Sequence, residues 1–218
     1  MILKMEIIYK TPKGTEVTFH SDEMTPEKAL LLVEDLQKTG RVKNITLYDQ
    51  HDTTWTVKEL KKYVQSLEEE PHNIVVFFDG GFDISSSNSG LGCVIYYEKG
   101  KKQYRIRKNA LVEELNTNGE AEYASLHLAV NELETIGIHH MPVTFTGDSQ
   151  GVINQLNDEW PCYEEELLRW IERIEAKVEQ LGITPEYKLI PRKKNREADH
   201  LATQALSGVE IYSNSELE

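Results

Sequence analysis

The chain has 218 residues, 39% of them hydrophobic, which is long and apolar enough for one large domain or two small ones. Its 24 Lys and Arg residues against 37 Asp and Glu residues give a net charge of −13, which excludes a protein that grips nucleic acid through a broadly basic surface. The sequence has no run of about 18 apolar residues and no apolar core of a signal peptide near its N-terminus, so we expect a cytoplasmic protein that does not bind membranes.

The N-terminal part predicts a small α+β domain with the order β-β-α-β-β-α. Short strands are expected at residues 5–9, 17–20, 44–48 and 53–56. A first helix is expected to begin after Thr25, a good N-cap, and to end at Gly40, and a second is expected over residues 57–67. The charged run at residues 68–71 closes with proline, so we place the end of this domain, residues 1–70, there.

The rest of the chain alternates between strand and helix patterns. Expected strands are residues 74–78, 91–98, 104–110, 143–146 and 187–190, and expected helices are residues 120–133, 149–156, 163–181 and 196–206. Three strands in series followed by alternating helices and strands predict a mixed sheet flanked by helices. We assign residues 73–207 to this α/β domain and residues 208–218 to a C-terminal tail.

Four acidic residues are placed where such a domain could bring them together. Asp79 follows the first strand of the domain and Asp148 the fourth, so adjacent parallel strands would bring both to one edge of the sheet. Glu122 and Asp199 lie early in helices. Clustered carboxylates repel one another unless cations compensate, and oxygen ligands favour Mg²⁺ or Mn²⁺ over zinc. Two such ions can stabilise the attacking water and the leaving oxygen of a phosphoryl displacement.

Each acid alone also has an ordinary explanation. Asp79 precedes two glycines and suits a turn, and Glu122 suits an exposed helix surface. Asp148 suits a helix N-cap, and Asp199 suits the first turn of a helix, where negative charge is favourable. Their joint placement is therefore what indicates a site.

Four segments around these acids resemble the type 1 ribonuclease H family. They are FFDGG (77–81), NGEAEYASL (118–126), GDSQGVINQL (147–156) and NREADHLATQAL (195–206). The resemblance covers most of residues 73–207 and implies a five-stranded mixed sheet with flanking helices. It implies metal-dependent endonucleolytic cleavage of the RNA strand in an RNA/DNA hybrid. The catalytic residues that it implies, as ligands of two Mg²⁺ or Mn²⁺ ions, are Asp79, Glu122, Asp148 and Asp199.

The resemblance also implies residues that bind the hybrid: Gly80, Gly81, Asn118 and Gln150. The two glycines would let backbone amides approach the RNA strand, where contacts to 2′-hydroxyl groups distinguish RNA from DNA. Asn118 and Gln150 match family positions that contact the minor groove of the hybrid. A role as a helix cap or a surface amide is the alternative for both.

Three departures from the family pattern concern substrate binding. Gly119 replaces a second asparagine, which removes one side-chain contact to the substrate. Residues 158–179 are rich in Glu and lack the basic cluster with which many bacterial relatives grip the DNA strand. The loop at residues 190–195 lacks a histidine that is thought to assist product release, although Arg192 and its two neighbouring lysines could contact phosphate.

These departures leave three functions open. The main hypothesis is an active endonuclease directed at hybrids. The alternative is a catalytically weak or inactive ribonuclease H-like protein with a nucleic-acid-binding or regulatory role. A 3′–5′ exonuclease is less expected, because such enzymes usually carry two acids one residue apart on the first strand, and Asp79 stands alone there. We do not recognise the unit formed by residues 1–70, and three roles stay open for it: binding of a protein partner, self-association, and shielding of the catalytic sheet.

Overall fold

The first of the chain's two units, Met1–Glu70, is built around a strand in which every second residue is apolar. The computed structural model describes residues 1–217, except for the side chains of residues 67 and 68. The first strand buries Leu3, Met5 and Ile7 on one face, where the two helices of the unit supply the other half of the core. The apolar residues on one face of the strand therefore pack against the apolar faces of the two helices and form one small core.

The elements of this unit are β1 (Leu3–Lys10), β2 (Glu16–His20), α1 (Pro26–Lys38), β3 (Val42–Asp49), β4 (Thr54–Trp55) and α2 (Val57–Glu69). All strand pairs are antiparallel and their order is β2-β1-β3-β4, so β2 and the two-residue β4 form the edges of the sheet. The Thr25 hydroxyl accepts a hydrogen bond from the backbone of Lys28 and caps α1. Thr56 and Glu59 exchange hydrogen bonds at the start of α2.

The second unit, Pro71–Glu218, contains a six-stranded mixed sheet. Its strands are β5 (His72–Asp83), β6 (Asn88–Lys99), β7 (Lys102–Val112), β8 (Pro142–Gly147), β9 (Thr184–Leu189) and β10 (Tyr212–Leu217). Its helices are α3 (Asn118–Thr135), α4 (Gln150–Leu156), α5 (Glu165–Gln180) and α6 (Arg196–Leu206), with a 3₁₀ turn at Arg192–Lys194. The strand order is β10-β7-β6-β5-β8-β9, with β5, β8 and β9 parallel and the other pairs antiparallel.

This architecture confirms the expected mixed sheet with flanking helices, and it adds a strand. The prediction of a tail over residues 208–218 is wrong, because β10 lies within it and pairs with β7. The Asn109 side chain accepts a hydrogen bond from the Ile211 amide at 2.7 Å, and the Tyr212 hydroxyl donates to Glu132 at 3.1 Å. These polar contacts help to hold β10 on the sheet. Its sequence, YSNSEL, has few apolar residues, so no hydrophobic pattern predicts this strand.

The main core lies between one face of this sheet and the helices α3 and α5. Phe78, Ile95 and Phe145 from three strands meet Leu126 of α3 and Ile174 of α5 there, all of them fully buried. The opposite face of β5 and β6 packs against α6. No helix in residues 1–217 is long and apolar enough to cross a membrane.

Candidate active site

Asp79 lies in the middle of β5, not at the end of a strand as its two following glycines predict. The strand continues to Asp83, whereas the parallel neighbour β8 pairs with it only as far as the Phe77–Thr146 pair. Asp79 therefore lies where one side of β5 has just lost its partner strand. The residue is 9% exposed and lies at the edge of the parallel half of the sheet.

Asp148 directly follows β8, the strand next to the one that carries Asp79. Strand β8 ends at Gly147, and Asp148 is the next residue. The N-cap of α4 is Ser149, so Asp148 does not have the capping role that its position also suited. Since β5 and β8 are parallel neighbours, their adjacent ends place Asp79 and Asp148 close enough for the charge of Asp148 to raise the pKa of Asp79.

Glu122 is brought to the same place by the close approach of α3 to β5. A Cβ at Gly80 would lie 2.1 Å from the Ala121 carbonyl carbon, so only glycine allows the helix to pass here. The Gly80 backbone lies close enough to Glu122 to lower the pKa of its carboxyl group, although burial and the neighbouring acids outweigh this effect. Glu120 has a different role, because it exchanges hydrogen bonds with the N-terminus of α3 through Thr117 and the Asn116 amide.

Asp199 lies in the first turn of α6 and completes the group of four acids. Its carboxylate accepts a hydrogen bond from the Arg192 guanidinium at 2.9 Å. The Arg192 side chain is 82% exposed, so this cation lies at the open side of the group. Its positive charge lowers the pKa values of Asp79 and Glu122, although burial and the neighbouring acids outweigh it.

The cluster carries more negative charge than the nearby Arg192 neutralises. Burial first, and then the charges of Asp148 and Asp199, raise the pKa of Asp79 to about 8. Burial and the charges of Asp79 and Asp148 raise the pKa of Glu122 to about 8 as well. The Oε2 atom of Glu122 is buried without a hydrogen-bond partner among the described residues. The site is therefore suited to receive positive charge.

The donor set fits hard divalent cations. All four side chains offer carboxylate oxygens, which Mg²⁺ and Mn²⁺ prefer. Among the described side chains, no three of His, Cys, Asp or Glu already surround one point as a metal site would. The carboxylates would have to move together around an ion, and the loss of their mutual repulsion would favour that movement.

The residues expected to bind the hybrid lie around this cluster. Gly80 is buried under α3, and Gly81 next to it is partly exposed. Asn118 is exposed at the start of α3, and its side-chain oxygen accepts a hydrogen bond from the Phe82 amide at 3.3 Å. Gln150 is exposed at the first position of α4. Asn118 is thus tied to β5 just beyond the two glycines, while Gln150 borders the Asp148 side.

Asn195 also belongs to the candidate site, although the sequence did not predict a role for it there. It is 1% exposed, and its side-chain amide donates to the Phe78 carbonyl at 2.9 Å and to Asp148 Oδ1 at 2.7 Å. It therefore fixes the Asp148 carboxylate relative to β5. Its place directly before α6 suggests a helix cap, but its side chain makes no capping hydrogen bond.

This sheet, with acids on β5, α3, α6 and after β8, defines a ribonuclease H-like domain. Residues 77–205 match the reverse transcriptase-like family, and the chain belongs to that family, as the resemblance to type 1 ribonucleases H predicted. The uncharacterized protein YpeP of Bacillus subtilis (strain 168) is 41% identical over 208 residues, covering 94% of this chain and 92% of YpeP.

Solved structures show the same fold. LC11-RNase H1, isolated from compost and crystallised in complex with an RNA/DNA hybrid, has a TM-score of 0.55 at 27% identity. The match covers 62% of this chain and 98% of that one. The N-terminal RNase H domain of rv2228c from Mycobacterium tuberculosis has a TM-score of 0.54 at 24% identity, covering 62% of this chain and 94% of that one.

Proposed function

We propose that this protein is a metal-dependent endonuclease that hydrolyses the RNA strand of RNA/DNA hybrids. The observation that carries the proposal is the cluster of Asp79, Glu122, Asp148 and Asp199, in which burial and like charge raise two pKa values to about 8. A buried cluster of this kind destabilises a fold unless cations bind it. LC11-RNase H1 was crystallised with an RNA/DNA hybrid, which supports the same substrate class here.

The four acids are proposed as ligands and catalytic residues. Two Mg²⁺ or Mn²⁺ ions, when bound, would supply an activated water and neutralise the leaving oxygen of the scissile phosphate. Asp79 and Asp148 would hold them from the sheet, and Glu122 and Asp199 from the helices. Asn195 would keep the Asp148 carboxylate in place through the hydrogen bond to Oδ1.

The groups around the cluster are proposed to position the RNA strand. The partly exposed backbone at Gly81 would approach the ribose, and Asn118 and Gln150 would reach the minor groove from either side. Arg192 would exchange its contact with Asp199 for a phosphate oxygen, since arginine binds both anions through the same planar donors.

A cleavage assay tests this proposal. The purified 218-residue chain is incubated with labelled RNA/DNA hybrid, double-stranded RNA and single strands, in Mg²⁺ and in Mn²⁺. We expect internal cleavage of the RNA strand of the hybrid only, and a loss of about a hundredfold or more in Asp148→Asn, because a ligand that neutralises ions in the transition state is removed.

Asp158→Asn is the matched control for Asp148→Asn. Asp158 is exposed after α4, and its positive φ of 59° also suits asparagine, so this variant should retain full activity. Equal losses in both variants, or a hybrid that stays intact with both metals, would contradict the proposal. Cleavage only from the ends of single strands would indicate an exonuclease instead.

The Arg192–Asp199 ion pair favours a second candidate, a nucleic-acid-binding or regulatory protein with little or no catalysis. In this arrangement a resident cation already neutralises part of the acid cluster. Calorimetric titration with Mg²⁺ and Mn²⁺ separates the two. A catalytic site should bind divalent ions and lose that binding in Asp148→Asn, whereas a binding-only module should give the same weak signal in both proteins.

A further inference from the structure

The edge strand β2 of the N-terminal unit has the features of a surface that pairs with another strand. All five of its residues, Glu16–His20, are exposed, and β1 is its single partner in the described sheet. The strand has a regular register and contains neither proline nor lysine, the usual devices that protect an edge. Val17 and Phe19 are 42% and 52% exposed, which adds an apolar strip to the open edge.

The hydrogen bonds to β1 fix which backbone groups of β2 point outward. Ser21 donates to Met5 at one end of the hairpin, and Thr11 donates to Thr15 at the other. Because bonded and non-bonded pairs alternate in an antiparallel ladder, Val17 and Phe19 bond to β1. The backbone N–H and C=O groups of Glu16, Thr18 and His20 therefore point away from β1, toward the open edge.

The sequence of β2 is complementary to itself. We propose that two copies of this chain associate by antiparallel pairing of their β2 strands, with the two Thr18 residues opposite each other on a two-fold axis. In this register Glu16 of one copy faces His20 of the other, and Val17 faces Phe19. The outward backbone groups of Glu16, Thr18 and His20 are those that such a pairing uses.

Charge supports a second copy as the partner. Within one chain His20 lies 3.3 Å from Glu6, and Glu16 lies 2.9 Å from Lys43. The pairing would bring His20 of one copy against Glu16 of the other, so that acidic and basic groups alternate across the joint sheet. A protonated His20 carries the opposite charge to Glu16, and opposite charges in directly facing positions stabilise strand pairs, whereas like charges destabilise them.

Three substitutions at Thr18 test the proposal without removing a backbone hydrogen bond between β2 and β1, since the N–H and C=O groups of Thr18 point outward. Thr18→Pro removes an outward N–H group at the centre of the interface, and proline is tolerated on an edge strand when its nitrogen faces solvent. Thr18→Lys would place two lysines opposite each other. Thr18→Val keeps the backbone and the β-branched shape, so it is the control.

Sedimentation velocity of the full chain, without nucleic acid, is the measurement. We expect a reversible dimer for the wild type and Thr18→Val, and a dissociation constant raised about tenfold or more by Thr18→Pro and Thr18→Lys. Circular dichroism should show the same fold in all four proteins. A wild type that stays monomeric at high concentration, a dimer that persists in both Thr18→Pro and Thr18→Lys, or dissociation in Thr18→Val would each overturn the proposal.

Discussion

Asp79 lies in an environment that favours its protonated form when no metal is bound. Its pKa is raised to about 8 by burial and by the carboxylates of Asp148 and Asp199. In the unfolded chain these effects disappear and the pKa of the group lies near its ordinary value of about 3.8. Between these two values the folded protein holds a proton that the unfolded chain has released, so rising pH favours unfolding.

We therefore expect the metal-free protein to lose stability as pH rises from about 4 to about 8, and Asp79→Asn to remove part of this loss, because Glu122 has a pKa raised to about 8 as well. At pH 8 the variant should be more stable than the wild type by about 2 kcal/mol, since an uncharged amide no longer repels Asp148. Urea unfolding in chelator at several pH values measures this. Asp158→Asn should keep the wild-type slope, and an unchanged slope in Asp79→Asn would show that Asp79 does not titrate in this range.

The sequence predicted the four acids but not the amide that holds one of them. The acids stand out because their types and order match a known pattern, and Asp79, Glu122 and Asp148 interact electrostatically in the structure. Asn195 gives no such signal, because an asparagine before a helix is ordinarily a cap. Its contacts with Phe78 and Asp148 join residues 117 and 47 positions away, which no local pattern reports.

Gly80 shows why a glycine pair can mislead a strand prediction. Two glycines after an apolar run predict a turn, yet β5 continues through them to Asp83. Gly80 instead leaves room for α3, which crosses the strand within 2.1–2.3 Å of where a Cβ would lie. Such a crossing depends on the tertiary packing of the helix, whereas the turn preference of glycine is a local property.

Gly80→Ala should consequently disturb both stability and the site. The added methyl group would meet backbone atoms of Ala121 and Glu122, which cannot move aside as a flexible side chain could. We expect a loss of about 2–3 kcal/mol in unfolding free energy, as for other overpacked cores, and a loss of activity as Glu122 shifts. Urea unfolding and the hybrid cleavage assay measure the two effects.

Gly81→Ala is the matched control for Gly80→Ala. A Cβ at Gly81 would lie 3.5 Å from Leu206 Cδ1, an ordinary contact, and the unfolding free energy should stay within about 0.5 kcal/mol of the wild type. Equal destabilisation by the two substitutions would mean that backbone freedom at this point of β5, and not the approach of α3, requires glycine.

At the scale of the whole molecule, charge opposes the proposed substrate. The net charge of −13 repels phosphate, and the exposed basic residues next to Asn195 are the short run Arg192–Lys194 and Arg196. Binding to one hybrid site should accordingly be weak, since most affinity for nucleic acid comes from phosphate contacts. Two linked catalytic units would compensate by avidity, because the second contact becomes intramolecular.

We therefore expect dimerisation to matter for long hybrids and not for short ones. If Thr18→Pro separates the copies, its KM for a hybrid long enough to reach both catalytic units should rise about tenfold or more. Its KM for a hybrid that fills one unit should equal that of the wild type, as should kcat on both, because β2 lies outside the catalytic unit. Thr18→Val should match the wild type on every substrate. An equal rise in KM on long and short hybrids would mean that the substitution reaches the active site, and no rise on either would mean that the two units act independently.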